Sequence, residues 1–259
     1  MEQWPLFYHS QPLVIAHRGA SGSAPENTMA AFQAAIDEGA DGIELDVTRC
    51  ASGEIVVIHD DTVDRTTDGS GAVADLELDA LRALDAGSWF APSFAGERIP
   101  LLAEVLDAYG ASLRINIEIK GRELCDGGVE KEIAAMVRER RLQESVLISS
   151  FNPCALKRMQ AAAPELQRGL LFVAPSTMFR AWSWAGHWVE AHALHPSAAG
   201  LDAAWVARAR EGGYRVNAWT VNDPEEMLRV VASGVDGVIT NYPGRLRALL
   251  QRCRAGEDG

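Results

Sequence analysis

Short apolar runs alternate with amphipathic segments of helical spacing along most of the chain. Residues 27–38 show the helical pattern, because Met29, Phe32 and Ile36 recur every three or four positions and Gly39 ends the run. The same pattern predicts eight principal strands, each followed by a helix, centred near positions 14, 44, 116, 148, 170, 194, 217 and 238. Such alternation over about 250 residues is typical of an α/β protein with a (β/α)8 TIM barrel. A dinucleotide-binding doubly wound sheet is disfavoured, because no Gly-x-Gly-x-x-Gly motif follows the first strand.

Residues 60–99 interrupt this alternation. The segment is rich in Asp, Thr, Gly and Ser, and it contains one short predicted helix over residues 76–84. Long irregular segments in compact domains are usually functional. We therefore predict a single domain over residues 1–259, with a small insertion at about 60–99 that follows the second barrel strand and covers one side of the site.

Charge and composition narrow the range of partners. The 259-residue chain has 36 acidic and 24 basic side chains, a formal net charge of −12, and four scattered cysteines that suit free thiols. This charge argues against nucleic acid or an anionic membrane as a partner. No signal peptide or membrane-length apolar run is evident, so we predict a cytoplasmic protein without stable membrane association. The aromatic residues of 178–188 predict a hydrophobic rim, a homodimer contact or a buried helix face.

Carboxylates occupy alternate positions of two predicted strands. Glu44 and Asp46 point to the same side of one strand, and two anions on one face repel each other unless a cation lies between them. Asn116, Glu118 and Lys120 share one face of the next principal strand, which makes Glu118 a third candidate ligand. Three oxygen ligands suit a hard divalent cation such as Mg²⁺ or Ca²⁺. The alternative is a salt-bridged barrel interior in which Glu118 merely pairs with Lys120.

Two histidines and one arginine lie at the ends of predicted strands. His17, Arg18 and Gly19 follow the first strand, where a planar guanidinium suits phosphate oxygens and glycine permits a sharp turn. His59 ends the strand predicted over residues 55–59. The two histidines are a candidate acid/base couple, because imidazole titrates near neutral pH. Either of them is also a candidate metal ligand.

Other polar and aromatic residues allow more than one interpretation. Asn217 and Trp219 alternate along a late strand and either wall the pocket or belong to the core. His195 precedes a proline near another strand end and is a weaker candidate for substrate contact. Glu26 and Asn27 are typical of the first turn of a helix, where they would cap it, and a contribution to the mouth of the site is compatible with that position.

Eight short motifs follow one another along the chain. They are His-Arg-Gly-Ala (17–20), Pro-Glu-Asn-Thr (25–28), Glu-Leu-Asp-Val (44–47), Val-Ile-His-Asp (57–60), Asp-Arg-Thr-Thr (64–67), Asn-Ile-Glu-Ile-Lys (116–120), Val-Asn-Ala-Trp-Thr-Val-Asn (216–222) and Gly-Val-Asp-Gly-Val-Ile-Thr-Asn-Tyr-Pro (234–243). In this combination they closely resemble the glycerophosphodiester phosphodiesterase family, particularly its bacterial cytosolic members.

The resemblance implies a barrel with a small insertion after its second strand, which corresponds to residues 60–99. It also implies one divalent cation, with Mn²⁺ as a further candidate. The residue roles it implies are metal binding by Glu44, Asp46 and Glu118, acid/base catalysis by His17 and His59, and phosphodiester binding by Arg18 and Lys120. The implied reaction is hydrolysis of small-molecule glycerophosphodiesters, such as glycerophosphocholine or glycerophosphoethanolamine, to glycerol 3-phosphate and an alcohol.

Three other functions stay open on the sequence alone. A phospholipase C-like or lysophospholipase D-like enzyme would act on lipid substrates, although the acidic chain without a basic amphipathic helix favours soluble headgroup diesters. A catalytically idle barrel would serve as a binding module, yet every catalytic residue type is present. A sugar isomerase would need more carboxylate and histidine ligands on the late strands.

Overall fold

A computed structural model of the protein describes residues 7–8, 12–120, 128–173 and 179–255. The strands in these ranges are β1 (Leu13–His17), β2 (Gly42–Arg49), β3 (Ile55–Val57), β4 (Arg114–Ile119), β5 (Val146–Ser150), β6 (Gln167–Phe172), β7 (Ala193–Pro196), β8 (Arg215–Ala218) and β9 (Gly237–Thr240). The helices are α1 (Met29–Asp37), α2 (Leu78–Ala83), α3 (Leu102–Tyr109), α4 (Val129–Glu139), α5 (Pro153–Ala162), α6 (Phe179–Trp188), α7 (Ala203–Glu211), α8 (Pro224–Ala232) and α9 (Pro243–Ala255). Two short 3₁₀ helices, Val73–Asp75 and Pro92–Phe94, flank α2.

Eight parallel strands form a closed barrel. β1 pairs with β9 on one side and with β2 on the other, and the ring continues through β4, β5, β6, β7 and β8. A closed ring of parallel strands connected by helices is the (β/α)8 TIM barrel that the sequence pattern predicts. All eight predicted strands are confirmed. Met178, the first residue of the segment 178–188, lies outside the described residues.

The ninth strand, β3, lies outside this ring. It runs antiparallel to the end of β2, so that Arg49 pairs with Ile55 and Val47 with Val57. The strand predicted over residues 55–59 is therefore shorter than expected, because it ends at Val57. The pairing of β2 with β4 also ends at Val47. The last residues of β2, up to Arg49, pair with β3 instead.

The two faces of the barrel strands have different compositions. Outward residues such as Leu45, Ile117 and Val238 are fully buried in the layer between barrel and helices. This arrangement follows from the alternation of side chains along each strand, because the outer face is covered by helices and removes apolar area from water. The inner face is mixed. It carries a small apolar cluster that includes Phe7 and Ile15, and polar side chains lie above and below this cluster.

A polar group closes the amino-terminal end of the barrel. Tyr8 lies against the first residue of β8, with the Arg215 guanidinium 5.6 Å from its ring centroid. The Asn217 amide donates to the Tyr8 hydroxyl at 2.7 Å and lies 2.9 Å from Nε2 of the buried His195. The His195 ring occupies the space over Gly169, where an added Cβ would lie 2.5 Å from Nε2. We call Tyr8, His195 and Asn217 the floor of the barrel.

The insertion after β3 shares a small hydrophobic core with β3 and the residues next to it. Its buried members are Cys50, Val56, Ile58, Val63, Val73, Leu81, Ala86 and Ile99. The chain enters and leaves the insertion side by side, because Val56 forms a bridge with Leu101 and the Val57 amide donates to the Pro100 carbonyl at 2.8 Å. The Asp85 carboxylate accepts from three backbone amides at 2.7–2.8 Å, which fixes the outer loop.

Three further observations bear on the sequence predictions. In the described part of the chain, Cys50 and Cys154 are free thiols, and Cys125 lies outside it. Of the helices that the structure describes, none combines the length and the apolarity that spanning a membrane requires. Trp184 and Trp188 of α6 are exposed, which excludes a buried helix face at these two positions.

Candidate active site

Three carboxylates converge inside the carboxyl-terminal end of the barrel. Glu44 and Asp46 are inward residues of β2, and Asp46 lies opposite Glu118 of β4 in the strand register. One carboxylate oxygen from each residue lies within 4.8 Å of the other two. All three side chains are buried, with exposed fractions of 3%, 1% and 8%. The predicted metal ligands are therefore brought together.

The three carboxylates differ in their electrostatic surroundings. Burial and the nearby charges of Asp46 and Glu118 raise the pKa of Glu44 well above its usual value. Burial and Asp46 also raise the pKa of Glu118, to about 7. Burial acts in the same direction on Asp46, but the Lys120 ammonium and the Arg18 guanidinium outweigh it, and the pKa of Asp46 is lowered.

This donor set fits a hard divalent cation. Glu44 accepts a hydrogen bond from the Arg18 backbone amide at 3.0 Å, and among the described residues it has no ion-pair partner. A buried anion without a counter-ion is unfavourable, and a bound cation removes that penalty. Lys120 lies 2.9 Å from a Glu118 oxygen and 3.3 Å from an Asp46 oxygen, so the Glu118–Lys120 pair exists as part of the cluster.

The turn after β1 directs both the backbone amide and the guanidinium of Arg18 toward this cluster. Arg18 has a φ of 56°, an uncommon conformation that functional sites often retain, and its amide thereby donates to Glu44. Its side chain lies 2.8 Å from a Glu26 oxygen and 3.3 Å from an Asp46 oxygen. Gly19 follows with a φ of 81°, and an added Cβ there would lie 2.6 Å from the backbone of Ala31. Only glycine permits this close turn.

His17 ends β1 next to the carboxylates. It lies opposite Glu44 in the register, and its Nδ1 is 2.7 Å from the Asn241 side-chain oxygen. That contact places the proton on Nδ1 of the neutral ring and leaves Nε2 with its lone pair. Burial and the Arg18 charge lower the pKa of His17 to about 4, so the ring is neutral near pH 7.

His59 reaches the site from the return strand rather than from a barrel strand. The Ile58 amide donates to the Asp46 carbonyl at 3.0 Å, which holds the segment after β3 against β2. His59 Nδ1 lies 2.5 Å from Asp60, so this ring also presents Nε2. Hydrogen bonding from Arg65 lowers the pKa of Asp60 to about 2. The sequence placed His59 at a strand end, whereas it lies two residues beyond Val57.

A cavity of about 850 Å³ opens beside these groups. His59, Glu118 and Lys120 lie along one side of it, and Phe151 and Arg49 are among the residues farther out. Its position at the carboxyl-terminal ends of the strands is where TIM barrels bind their substrates. A small molecule in this cavity would contact His59, Lys120 and, of the three carboxylates, Glu118.

Comparison with known proteins identifies the family. Residues 17–245 match the sequence profile of the glycerophosphoryl diester phosphodiesterase family. The chain belongs to this family. It is therefore an enzyme of the glycerophosphodiester phosphodiesterase type, as the motifs of the sequence predict.

Individual members of the glycerophosphoryl diester phosphodiesterase family are similar over nearly the whole chain. A glycerophosphodiester phosphodiesterase of Caldanaerobacter subterraneus subsp. tengcongensis is 43% identical over 241 residues, which are 93% of this chain and 98% of that protein. The structure of an Oleispira antarctica phosphodiesterase in complex with the product sn-glycerol-3-phosphate has a TM-score of 0.81 and 36% identity, and the match covers 93% of this chain and 97% of that one. An Agrobacterium tumefaciens glycerophosphodiester phosphodiesterase has a TM-score of 0.81, 30% identity and coverage of 92% and 100%.

The structure separates the two predicted pocket-wall residues. Asn217 is buried in the floor and pairs across to Gly237, which in turn pairs with Leu13 at the start of β1. Trp219 follows the end of β8, donates its indole N–H to the His195 carbonyl at 2.7 Å and packs edge to face on Phe151. The structure thus brings Trp219, but not Asn217, to the carboxyl-terminal end of the barrel.

The sequence interpretation favours helix capping for the residues of the Pro-Glu-Asn-Thr motif and leaves a contribution to the mouth of the site open. Thr28, not Glu26 or Asn27, caps α1, because its hydroxyl accepts from the Ala31 amide at 3.2 Å. The capping prediction for Glu26 and Asn27 is therefore wrong. The Asn27 amide instead donates to Asp46 at 2.9 Å, and Glu26 pairs with two arginines. The signal that could have revealed them is the charged Pro-Glu-Asn-Thr motif, which a cap alone does not require.

Proposed function

We propose that this family member hydrolyses soluble glycerophosphodiesters to glycerol 3-phosphate and an alcohol, with a divalent cation bound by Glu44, Asp46 and Glu118. The observation that carries the proposal is the buried cluster of three carboxylates between Arg18 and Lys120. Anionic clusters that also contain cationic side chains suit a ligand that brings both a metal ion and a phosphate. Glycerophosphocholine and glycerophosphoethanolamine are the proposed substrates, and the glycerol phosphate bound by the Oleispira relative supports this choice.

Mg²⁺ or Ca²⁺ suits the all-oxygen donor set, and Mn²⁺ is a third candidate. Bound there, the cation supplies positive charge that stabilises developing negative charge on phosphate oxygens. Arg18 and Lys120 hold the other oxygens of the phosphodiester. Lys120 already neutralises part of the cluster, and its own pKa is raised because the charges of Asp46 and Glu118 outweigh the effect of burial. It therefore remains an ammonium throughout the reaction.

The two histidines move the protons. His17 Nε2 takes a proton from the nucleophile, which is either water or the neighbouring glycerol hydroxyl, as a new bond forms to phosphorus. His59, in the form that carries a proton on each ring nitrogen, gives the Nε2 proton to the alcohol oxygen as the bond between that oxygen and phosphorus breaks, and it keeps the Nδ1 proton beside Asp60. With the glycerol hydroxyl as nucleophile, the product is a cyclic phosphate that water opens in a second step. The neutral ring of His17 and its place opposite Glu44 support the role of base.

The position of His59 supports the role of acid. Its ring is 31% exposed and lines the cavity, where the departing alcohol has access to solvent. Asp60 holds Nδ1 and so fixes the ring orientation. A His59→Gln variant should lose activity on phosphodiesters of aliphatic alcohols far more than on a p-nitrophenyl phosphodiester, whose leaving group needs no proton. Equal losses on both substrates would contradict this assignment.

The decisive experiment is product analysis on a panel of glycerophosphodiesters, lysophospholipids and intact phospholipids. We expect glycerol 3-phosphate and the free alcohol from the soluble diesters, loss of turnover with EDTA, and recovery with Mg²⁺, Ca²⁺ or Mn²⁺. Turnover of lipids in preference to soluble diesters would favour the phospholipase alternatives. Inactivity on the whole panel with all three metals would favour a binding function. A cytoplasmic location and a homodimer stay predictions, and cell fractionation and sedimentation test them.

A further inference from the structure

One guanidinium joins the insertion to the mouth of the barrel. Arg65 donates through Nε to an Asp60 oxygen at 2.6 Å. Its two terminal nitrogens donate to the two oxygens of Glu26, each at 2.8 Å. The hydrogen bonds to both carboxylates raise the pKa of Arg65 above its usual value. A single planar group is thus shared between a carboxylate of the insertion and a carboxylate of the turn before α1.

Each of these carboxylates in turn contacts a residue of the proposed chemistry. Asp60 holds Nδ1 of His59 at 2.5 Å through its other oxygen. Glu26 accepts from the Arg18 guanidinium at 2.8 Å. The contacts therefore run without interruption from the proposed proton donor, through Arg65, to the proposed phosphate-binding arginine.

We propose that Arg65 is a positioning residue, which fixes the distance between His59 and Arg18 and thereby between the proton donor and the phosphate. The inference rests on the proposed function. Arginine suits this task because its planar fork binds one carboxylate through two nitrogens while a third nitrogen binds another. A lysine ammonium is a point charge and cannot reproduce these three directions at once.

Fold stability alone does not account for the arrangement. The Arg65 side chain is 45% exposed, and exposed ion pairs contribute little to stability. Its backbone is nonetheless held rigidly, because the following residues Thr66 and Thr67 are buried and the Thr67 hydroxyl donates to the Val63 carbonyl at 2.7 Å. An exposed arginine on a fixed turn, with three short hydrogen bonds to two carboxylates, sets the positions of those carboxylates relative to each other.

The chain offers a matched control. Arg138 of α4 is 44% exposed and donates through Nε to Glu165 at 2.7 Å and through a terminal nitrogen to the Ala162 carbonyl at 2.9 Å. It is an arginine of nearly equal exposure with a similar surface ion pair, and its partners in the described ranges lie away from the site. Arg65→Ala and Arg138→Ala therefore remove the same kind of group from two different places.

The experiment compares wild type, R65A, R65K and R138A on glycerophosphoethanolamine and on a p-nitrophenyl phosphodiester. We expect R65A to lower kcat/KM on the aliphatic substrate by about 10- to 100-fold and on the p-nitrophenyl substrate by a smaller factor, because displaced reacting groups cost this much. R65K should recover only part of the loss, and R138A should stay within about twofold of wild type.

A second readout does not depend on turnover. In metal-free protein, the ¹⁵N signals of the His59 ring, assigned by their absence in H59Q, should show one tautomer with the proton on Nδ1 in wild type and R138A. In R65A they should average between tautomers, because Asp60 is no longer held. If R65A fails to fold, R65K carries the same comparison.

The outcomes separate this inference from the function on which it rests. An active wild type with R65A or R65K equal to R138A, in rates and in the His59 signals, would overturn the positioning role and leave the proposed function intact. A wild type that is inactive on every glycerophosphodiester would overturn the proposed function and the inference with it. Selective loss on the aliphatic substrate together with an altered His59 tautomer would support both.

Discussion

The mouth of the barrel, where the three carboxylates lie, contains the half-buried His17, and the floor contains the fully buried His195. The two histidines have opposite surroundings. Burial is the first cause that lowers the pKa of His17, to about 4, and of His195, to about 3. His17 is beside Arg18 and a cluster of carboxylates, whereas His195 contacts the amide of Asn217. A low pKa therefore does not distinguish a catalytic histidine from a structural one. The charges and open space around the ring make the distinction.

The same comparison extends to energetics. The mouth collects like charges in a buried place, which destabilises the metal-free fold and prepares the site for a cation and a phosphate. In the floor, the Asn217 amide lies between the Tyr8 hydroxyl and His195 Nε2, whereas His195 Nδ1 and the Asn217 side-chain oxygen have no hydrogen-bond partner in the part of the chain that the structure describes. This neutral group contributes to the stability of the fold through its hydrogen bonds and offers no charge to a substrate. Substitutions should therefore reduce activity in the mouth and stability in the floor.

Glu44→Gln is the change with the largest expected effect. It removes one oxygen ligand and one negative charge while the size of the side chain is kept. We expect kcat/KM to fall by about 10²- to 10³-fold or more, because charge stabilisation at the phosphate depends on this cluster. We also expect the free energy of unfolding of the metal-free protein at pH 8 to rise, since burial and neighbouring charges disfavour ionised Glu44.

Kinetics with added Mg²⁺ and urea unfolding in EDTA measure the two quantities. Glu165→Gln on the surface is the control, and it should change neither by a large factor. A Glu44→Gln protein that kept its activity but lost stability would show that the mouth behaves like the floor.

The pH dependence of metal binding provides an intermediate test. The pKa of Glu118 is raised to about 7, so protons and the cation compete for it near neutral pH. Affinity for Ca²⁺ should fall by about tenfold per pH unit below that value. Calorimetric titration between pH 5.5 and pH 8.5, about 1.5 units on either side, measures this slope, and a Glu118→Gln protein should show a weaker one. A flat profile for the wild type would contradict the proposed ligand set.

Protonation of Glu118 has opposite effects on metal binding and on folding. It weakens metal binding, but it stabilises the folded metal-free protein. The folded metal-free protein holds the Glu118 proton more tightly than the unfolded chain, whose pKa is near 4.5. The stability from this group is fully present below that value and is lost as the pH rises through about 7. The difference in unfolding free energy between wild type and Glu118→Gln, measured without metal, should therefore decrease across this window.

Asn217→Ala is expected to have the smallest effect on activity. It leaves the Tyr8 hydroxyl and His195 Nε2 without their partner, which should lower the free energy of unfolding by about 1–3 kcal/mol. We expect kcat/KM to stay within about threefold, because the residue contacts the floor and not the carboxylates. Tyr8→Phe removes one hydroxyl and should cost less. An increase of KM in Asn217→Ala would instead support the pocket-wall role that the sequence predicts.

The sequence predicts the barrel because its signals are local and repeated. Eight βα units need only periodicity and turn residues, and the alternation along β2 and β4 places Glu44, Asp46 and Glu118 on inner faces. The pairing of Asp46 with Glu118 depends on the stagger of neighbouring strands, which no local pattern encodes. The family resemblance supplied that proximity, and the structure explains it.

The missed features all depend on contacts between distant segments. Glu26 has the local pattern of a helix cap, but its partners, Arg18 and Arg65, come from a strand end and from the insertion. The depth of Asn217 in the barrel likewise follows from the register of β8 with β9, which the sequence of β8 alone cannot give. The sequence predicts a strand that ends at His59. The strand ends at Val57 instead, because its antiparallel pairing with β2 extends only that far.

The paired entry and exit of the insertion have a consequence for the evolution and engineering of specificity. Val56 and Leu101 form an antiparallel β-bridge. The fold therefore holds the two ends of any segment that joins these positions next to each other. Exchanging such a segment for one of another length changes the loop-closure entropy only slowly, by about 0.6 kcal/mol per doubling of its length. A segment of another length can thus line the cavity without any change to the strands that hold the carboxylates. His59, Asp60 and Arg65 all lie within this segment, so a transplanted segment should preserve these three residues together with the Arg65–Glu26 contact.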